Sequence, residues 1–210
     1  MRVALVLSGP PPPKDRLALL DSCDRIVCAD GGANAVVRSG RMPTQIVGDL
    51  DSIDGDVLAI SKSRGVAIDR FSERKDETDG EIALQSALAH KPTQLLILGA
   101  LGGRTAHTLG SLALLRRAHG AGVPTVLVGE HETLRLVGGG SVLALPPRIG
   151  TRFNVLAFEP SDVSVFGTDY DESALTLLPG SARGVSNVVR TSEARLTVKR
   201  GLVLLIVEDA

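Results

Sequence analysis

From Met1 to about Val128, short aliphatic runs alternate with stretches of mixed polarity. The runs Arg2–Leu7, Arg25–Ala29, Gln45–Val47, Val66–Ile68, Gln94–Leu98 and Thr125–Val128 have the length and content of buried strands. The intervening stretches Lys14–Leu20, Ala33–Ser39, Asp54–Lys62, Asp79–Ala89 and His107–His119 read as helices. Strands alternating with helices imply βαβ units and a mainly parallel sheet. After about Gly138 the texture changes. Gly138-Gly139-Gly140 interrupts the chain, and short β-rich runs follow at Ser141–Leu145, Phe153–Phe158, Asp162–Val165, Ala174–Leu178, Val185–Val189, Leu196–Val198 and Leu202–Val207. Turn signals at Pro146-Pro147, Pro179-Gly180 and Arg200-Gly201 separate several of them. The expectation is an α/β fold: an N-terminal, mainly parallel sheet with flanking helices (1–137), then an all-β sandwich or barrel (138–210).

Composition narrows this picture. The 210 residues are 43% hydrophobic and 22% charged, enough apolar material for a core without disulfides or metals as staples. A formal net charge of −1 argues against a nucleic-acid polymer or an anionic membrane as partner. No apolar run approaches a bilayer span, and Pro10–Pro13 ends the first strand before a signal-peptide core could form, so a cytoplasmic location is expected. Cys23 and Cys28 lack the partner pair of a zinc site and read as free or buried thiols. Aromatic residues are 2% of the chain, with one Tyr and no Trp, so stacking surfaces for a flat ligand are scarce.

Candidate chemistry collects in four turns that follow strands, where open α/β sheets bind ligands. Ile46-Val47-Gly48-Asp49-Leu50-Asp51-Ser52 ends a strand and presents two carboxylates at alternate positions. In an extended backbone residues i and i+2 face the same way, so Asp49 and Asp51 are expected to share a site. Close carboxylates repel unless a cation lies between them, and Mg²⁺ with oxygen ligands suits the pair; a solvated turn capping the next helix is the plainer alternative. Ala29-Asp30-Gly31-Gly32-Ala33-Asn34 offers glycines and a helix start to an anion, or simply a cap. Lys75-Asp76-Glu77-Thr78-Asp79-Gly80-Glu81 contains a capping box from Thr78 to Glu81, which leaves Lys75, Asp76 and Asp79 unexplained. Gly99-Ala100-Leu101-Gly102-Gly103-Arg104-Thr105-Ala106-His107 opens a helix with backbone donors and a guanidinium suited to phosphate. It is neither a dinucleotide fingerprint nor a Walker loop. Acids for a metal and cations for phosphates together suggest a Mg-nucleotide transferase.

The segments Ala-Asp-Gly-Gly-Ala at 29–33, Gly-Asp-Leu-Asp-Ser at 48–52, Lys-Asp-Glu-Thr-Asp at 75–79 and Gly-Ala-Leu-Gly-Gly-Arg at 99–104 resemble the thiamine pyrophosphokinase family in order and spacing. Gly184-Val185-Ser186-Asn187 extends the likeness into the second domain. The resemblance implies transfer of the β,γ-diphosphate of ATP to the hydroxyl of thiamine, releasing AMP, by a homodimer with sites between subunits. It implies Mg²⁺ on Asp49, Asp51, Asp76 and Asp79. ATP would lie on Asp30, Gly31, Gly32, Lys75, Gly102, Gly103 and Arg104, and thiamine on Ser186 and Asn187 of the β domain, which would also dimerise. Asp51, Asp79, Arg104 and His107 form the implied catalytic set.

Two positions depart from the family pattern: an aspartate after the arginine is here Ala106, and an asparagine is here Ser111. Some members also stack an aromatic just after Ser-Asn, where this chain has Val188 and Val189. A related pyrophosphokinase with another small alcohol acceptor, or a catalytically weak nucleotide-binding homologue, stays open as an alternative.

Overall fold

The computed structural model describes residues 1–72 and 76–209. Lys75, assigned above to the nucleotide, lies outside the described residues. The chain divides into two compact units, Met1–Glu130 and His131–Ala210.

In the first unit the aliphatic runs form β1 (Arg2–Val6), β2 (Arg25–Ala29), β3 (Gln45–Gly48), β4 (Ala67–Arg70), β5 (Gln94–Leu98) and β6 (Thr125–Val128). They lie in the order β6-β5-β1-β2-β3-β4, and every pairing is parallel. The helices are α1 (Lys14–Leu17, continued by a 3₁₀ turn Ala18–Ser22), α2 (Gly32–Arg38), α3 (Gly55–Ser63), α4 (Asp79–Ala89) and α5 (Thr105–Gly120). A parallel sheet covered on both faces needs near-continuous aliphatic strands. Val3, Ala4, Leu5 and Val6 of β1 and Leu95 to Leu98 of β5 meet that need and are buried. Cys23 and Cys28 are both free thiols, as their spacing suggests, and burial pushes the Cys28 thiol up, which keeps it inert. Among the described residues, no helix is long and apolar enough to cross a membrane.

The strand order reverses beside β1: β2 to β4 extend one way, β5 and β6 the other. Where the two directions part, the Gly9 amide donates to the Gly99 carbonyl at 3.0 Å. Gly99 has a φ of +66°, and a Cβ there would overlap the Leu7 carbonyl oxygen. Only glycine fits both conditions. At the start of α4 the expected capping box is present: the Glu81 amide donates to Thr78 Oγ1 at 3.2 Å, and the Thr78 amide to Glu81 Oε2 at 2.9 Å.

The second unit comprises β7 (Glu132–Gly138), β8 (Ser141–Ala144), β9 (Arg152–Ala157), β10 (Ser161–Phe166), β11 (Glu172–Leu177), β12 (Asn187–Val188), β13 (Arg195–Arg200) and β14 (Leu202–Glu208). Two antiparallel sheets, β12-β9-β14-β7 and β11-β10-β13-β8, share one core of Phe153, Val155, Val163, Val165, Leu196, Val198, Val203 and Leu205. Alternating residues face inward, which is the two-residue period of a sandwich. Two elements differ from the sequence reading. The run Glu132–Gly138, ahead of the glycines, is a strand that pairs with β14 and belongs to this unit rather than to the first. The run Val185–Val189 shortens to Asn187–Val188: Ser186, at a left-handed φ of +65°, keeps the strand from starting earlier, and Val189 forms only an isolated bridge with Thr168.

Thr78→Ala removes an acceptor from the first turn of α4 and should cost about 1 kcal/mol, within the ~0.5–2 kcal/mol range of cap deletions. Urea unfolding should show a lower midpoint at an unchanged slope.

Candidate active site

The acids meet at the carboxyl ends of β2 and β3 and the first turn of α4. Asp30, Asp49 and Asp79 each present a carboxylate oxygen, and the three oxygens lie within 4.8 Å of one another. Gly48 is the floor of this cluster: a Cβ there would stand 3.0 Å from Asp30 Cβ and 3.2 Å from Asp79 Oδ1. Its φ of +151° is a further reason for glycine. Asp30, grouped by the sequence with the anion-binding glycines, is instead the buried member of the cluster at 2% exposure. Asp30 Oδ2 accepts from the Ser52 amide at 3.0 Å, and its Oδ1 is buried without a hydrogen-bond partner. Burial raises the Asp30 carboxyl above the usual range; the Ser52 amide opposes the shift, and the neighbouring Asp51 carboxylate adds to it.

Asp51 and Asp76 are not among the three, although Asp51 lies close enough to Asp30 to act on its carboxyl. An extended backbone would place Asp49 and Asp51 on one side, but Leu50 has a φ of +71°, so the two diverge. Leu50 and Ile53 turn into the core, while Asp51 and Ser52 are exposed. The Asp51 amide donates to Asp49 Oδ1 at 3.2 Å, and Ser52 Oγ donates to Asp51 Oδ1 at 2.7 Å. Asp76 is exposed ahead of the α4 cap and is not in the cluster. None of these acids caps a helix through its side chain. Asp54, at the N-cap position of α3, makes no cap bond either; its carboxylate pairs with Arg38 of α2.

The two glycine turns differ in what they can offer an anion. Around Gly31 and Gly32 three backbone donors are already taken. The Gly32 amide donates to Ser8 Oγ at 3.2 Å, Ala33 to the Asp30 carbonyl at 3.1 Å and Asn34 to the Gly31 carbonyl at 3.0 Å. A Cβ on Gly31 would lie 2.8 Å from the Ser52 carbonyl oxygen, so this glycine serves turn-to-turn packing rather than ligand approach. Ser8, which the sequence reading missed, also donates to the Ala29 carbonyl at 2.7 Å and so ties the end of β1 to the acid-bearing turn. The second turn is open. Gly102 and Gly103 are exposed at φ of +83° and +70°, and a Cβ on either would meet only the Pro10 ring, at 3.4–3.5 Å. Arg104 at the N-cap of α5 and His107 one turn on are exposed beside them. Ala106 is exposed in that first turn, which carries no acid. Ser111 is buried, and its hydroxyl donates to the His107 carbonyl at 3.0 Å.

In the second unit Ser186 is exposed, and its amide donates to Asn154 Oδ1 at 2.9 Å. Asn187 is buried and committed internally. Its Oδ1 accepts from Tyr170 N at 3.1 Å and Val188 N at 2.8 Å, while its Nδ2 donates to the Tyr170 carbonyl at 3.0 Å. An amide with these partners is a clamp rather than a free ligand donor. What it clamps is Tyr170, 70% exposed on a loop also braced by the Arg190–Asp169 pair and by Asp171 Oδ1, which accepts from the Thr168 amide at 2.8 Å. No spacing rule links residues 170 and 187, so sequence patterns gave no signal for this pairing.

The donor set fits a divalent cation. Three hard oxygens converge, and Asp30, which supplies one of them, also has a buried Oδ1 with no hydrogen-bond partner. A parallel α/β sheet that carries such acids after β2 and β3 and an open glycine-arginine turn after β5 is the arrangement of a class, the α/β transferases of anionic substrates. Residues 17–127, more than half the chain, match the family model described as thiamin pyrophosphokinase, catalytic domain, and the chain belongs to that family. It is 23% identical over 179 residues to thiamine pyrophosphokinase of Bacillus subtilis, covering 84% of each chain. It is 31% identical over 137 residues to thiamine pyrophosphokinase 1 of Arabidopsis thaliana, covering 55% of this chain and 51% of that protein. The crystal structure of thiamine pyrophosphokinase from Bacillus subtilis superposes with a TM-score of 0.87 at 21% identity over 100% of both chains, a likeness of fold across both units.

Asp30→Asn should separate stability from ion binding. Asparagine tolerates the φ of +42° and can still accept from Ser52, but carries no buried charge. Because the Asp30 carboxyl is raised in the folded state, ionising it disfavours folding. Without metal the variant should therefore melt higher at neutral pH, and the advantage should vanish as pH falls below the ordinary carboxylate range. Its affinity for Mn²⁺ should drop more than the ~10–100-fold typical of residues that only orient a ligand. Calorimetry across pH and a Mn²⁺ titration check both halves.

Proposed function

We propose that the chain transfers the β,γ-diphosphate of ATP to the hydroxyethyl oxygen of thiamine, giving thiamine diphosphate and AMP. The observation that carries this reading is the meeting of Asp30, Asp49 and Asp79 at one point of the sheet edge. Family membership and the names of the relatives support the choice of substrates. Asp30, Asp49 and Asp79 would hold Mg²⁺, which when bound offsets the negative charge of the phosphates. Asp51, exposed beside them, would complete the acid face and take the proton of the incoming hydroxyl. In the transfer a bond forms from the thiamine oxygen to the β-phosphorus. The bond from that phosphorus to the oxygen shared with the α-phosphate breaks, and AMP leaves with that oxygen.

The open Gly102-Gly103 turn, with Arg104 and His107 at the start of α5, would hold the phosphate chain by backbone donors and a guanidinium. Ser186 and the exposed Tyr170 ring would receive thiamine, the ring supplying the flat apolar surface that the segment after Asn187 lacks. We place the working unit as a homodimer. Exposed apolar side chains on the second unit, Val142, Ile149 and Leu178 among them, support self-association. A second reading, a homologue that binds Mg-ATP but turns over slowly, is favoured by one observation: Ala106 leaves the first turn of α5 without an acid.

The purified protein with Mg-ATP should release AMP only when thiamine is present, in step with thiamine diphosphate. Asp49→Ala should lower kcat by roughly 10²-fold or more, the usual worth of one group that stabilises transition-state charge. Thiamine-independent AMP release would point to another acceptor. No release, restored by Ala106→Asp, would establish the second reading. Tyr170→Ala should raise KM for thiamine roughly 10-fold, a loss of ~1.4 kcal/mol, with KM for ATP unchanged.

A further inference from the structure

The turn that carries Asp49 and Asp51 is held from outside by one side chain that the proposed chemistry does not use. Asn34, in the first turn of α2, donates through Nδ2 to the Ser52 carbonyl at 3.1 Å and accepts through Oδ1 from the Asp54 amide at 3.0 Å. It therefore satisfies a backbone acceptor and a backbone donor two residues apart. One turn along the same helix face, Arg38 pairs with the Asp54 carboxylate. That pair is exposed and screened, so the half-buried Asn34 is the stronger grip.

The grip acts on a strained segment. Leu50 is held at a φ of +71°, a conformation a branched side chain adopts only when its surroundings enforce it. Ser52 is fixed on one side by Asp30 Oδ2 accepting from its amide and on the other by Asn34 binding its carbonyl. The same residue thus ties Asp30, the buried member of the acid cluster, to α2. We infer that Asn34 is a positioning residue: it holds the 49–54 turn in the one conformation that keeps Asp49 against Asp30 and Asp79. This rests on the reading of the cluster as a divalent-cation site.

Three measurements on Asn34→Ala and Asn34→Asp decide it. Amide hydrogen exchange by NMR should quicken at Asp54 in Asn34→Ala and stay slow in Asn34→Asp, which keeps the acceptor but loses the donor to Ser52. A Mn²⁺ titration followed by electron paramagnetic resonance, without nucleotide, should show affinity lowered roughly 10-fold or more in Asn34→Ala and less in Asn34→Asp. With Mg-ATP and thiamine, the metal concentration for half activation should rise in parallel while kcat at saturating metal stays near wild type. Equal Mn²⁺ affinity in wild type and both variants overturns the inference. So does a lowered kcat with an unchanged activation constant, which marks a merely structural role, and so does weakened binding of metal-free ATP with unchanged Mn²⁺ affinity, which marks a direct nucleotide contact. Should Asn34→Ala fail to fold, Asn34→Asp carries the same comparison. Wild type that binds Mn²⁺ but forms no AMP sinks the proposed reaction alone, and the Mn²⁺ series still decides the role of Asn34.

Discussion

A carboxylate withheld from water among other carboxylates is the constraint on which the first unit depends. Asp30 is 2% exposed, one of its oxygens has no hydrogen-bond partner, and Asp49 and Asp79 stand beside it. Burying an unpaired charge is among the costliest arrangements in a protein. The surrounding chain is built to permit it. Gly48 removes the side chain that would separate the acids, the Ser52 amide binds one oxygen, and the capped start of α4 supplies Asp79. Non-glycine residues at positive φ, Asp30 and Leu50, each store strain on the order of 1–3 kcal/mol. Behind them the aliphatic strands, buried on both faces, provide the rigidity that keeps these choices in place.

The second unit repeats this logic without charge. Ser186 is also a non-glycine residue at positive φ, and beside it the buried Asn187 amide fixes the backbone of Tyr170 from both sides. Of the four non-glycine residues at positive φ among the described residues, three fall in turns that carry candidate chemistry. Only Lys91, just past α4, does not. Strain collecting at such turns is what a site held in a prearranged geometry requires.

The fold class was legible because the aliphatic runs are continuous and the helices between them have ordinary length. The capping box at Thr78 was legible for the same reason, being a local pattern of fixed spacing. The acid cluster was only half legible. Asp30, Asp49 and Asp79 all follow strand ends or cap signals that sequence displays, whereas the left-handed torsions at Asp30 and Leu50 are not written in residue type. The glycines at 31 and 32 carry a second physical reading beside the anion-binding one. A glycine that lets a ligand approach and one that lets a neighbouring turn approach look alike until the neighbour, here Ser52, is in place. Strand β7 was overlooked because its partner, β14, lies at the far end of the chain.

The scarcity of aromatic residues has a practical consequence. With no tryptophan and a single tyrosine in the sequence, fluorescence excited in the tyrosine band, beyond the absorption of the four phenylalanines, arises from Tyr170 alone. That ring is largely in water, on a loop braced by Asn187, Asp171 and the Arg190–Asp169 pair. Folding of the core will therefore be nearly silent in fluorescence. A ring or metal complex that settles against Tyr170 will register directly, so the protein carries a built-in optical probe of that loop.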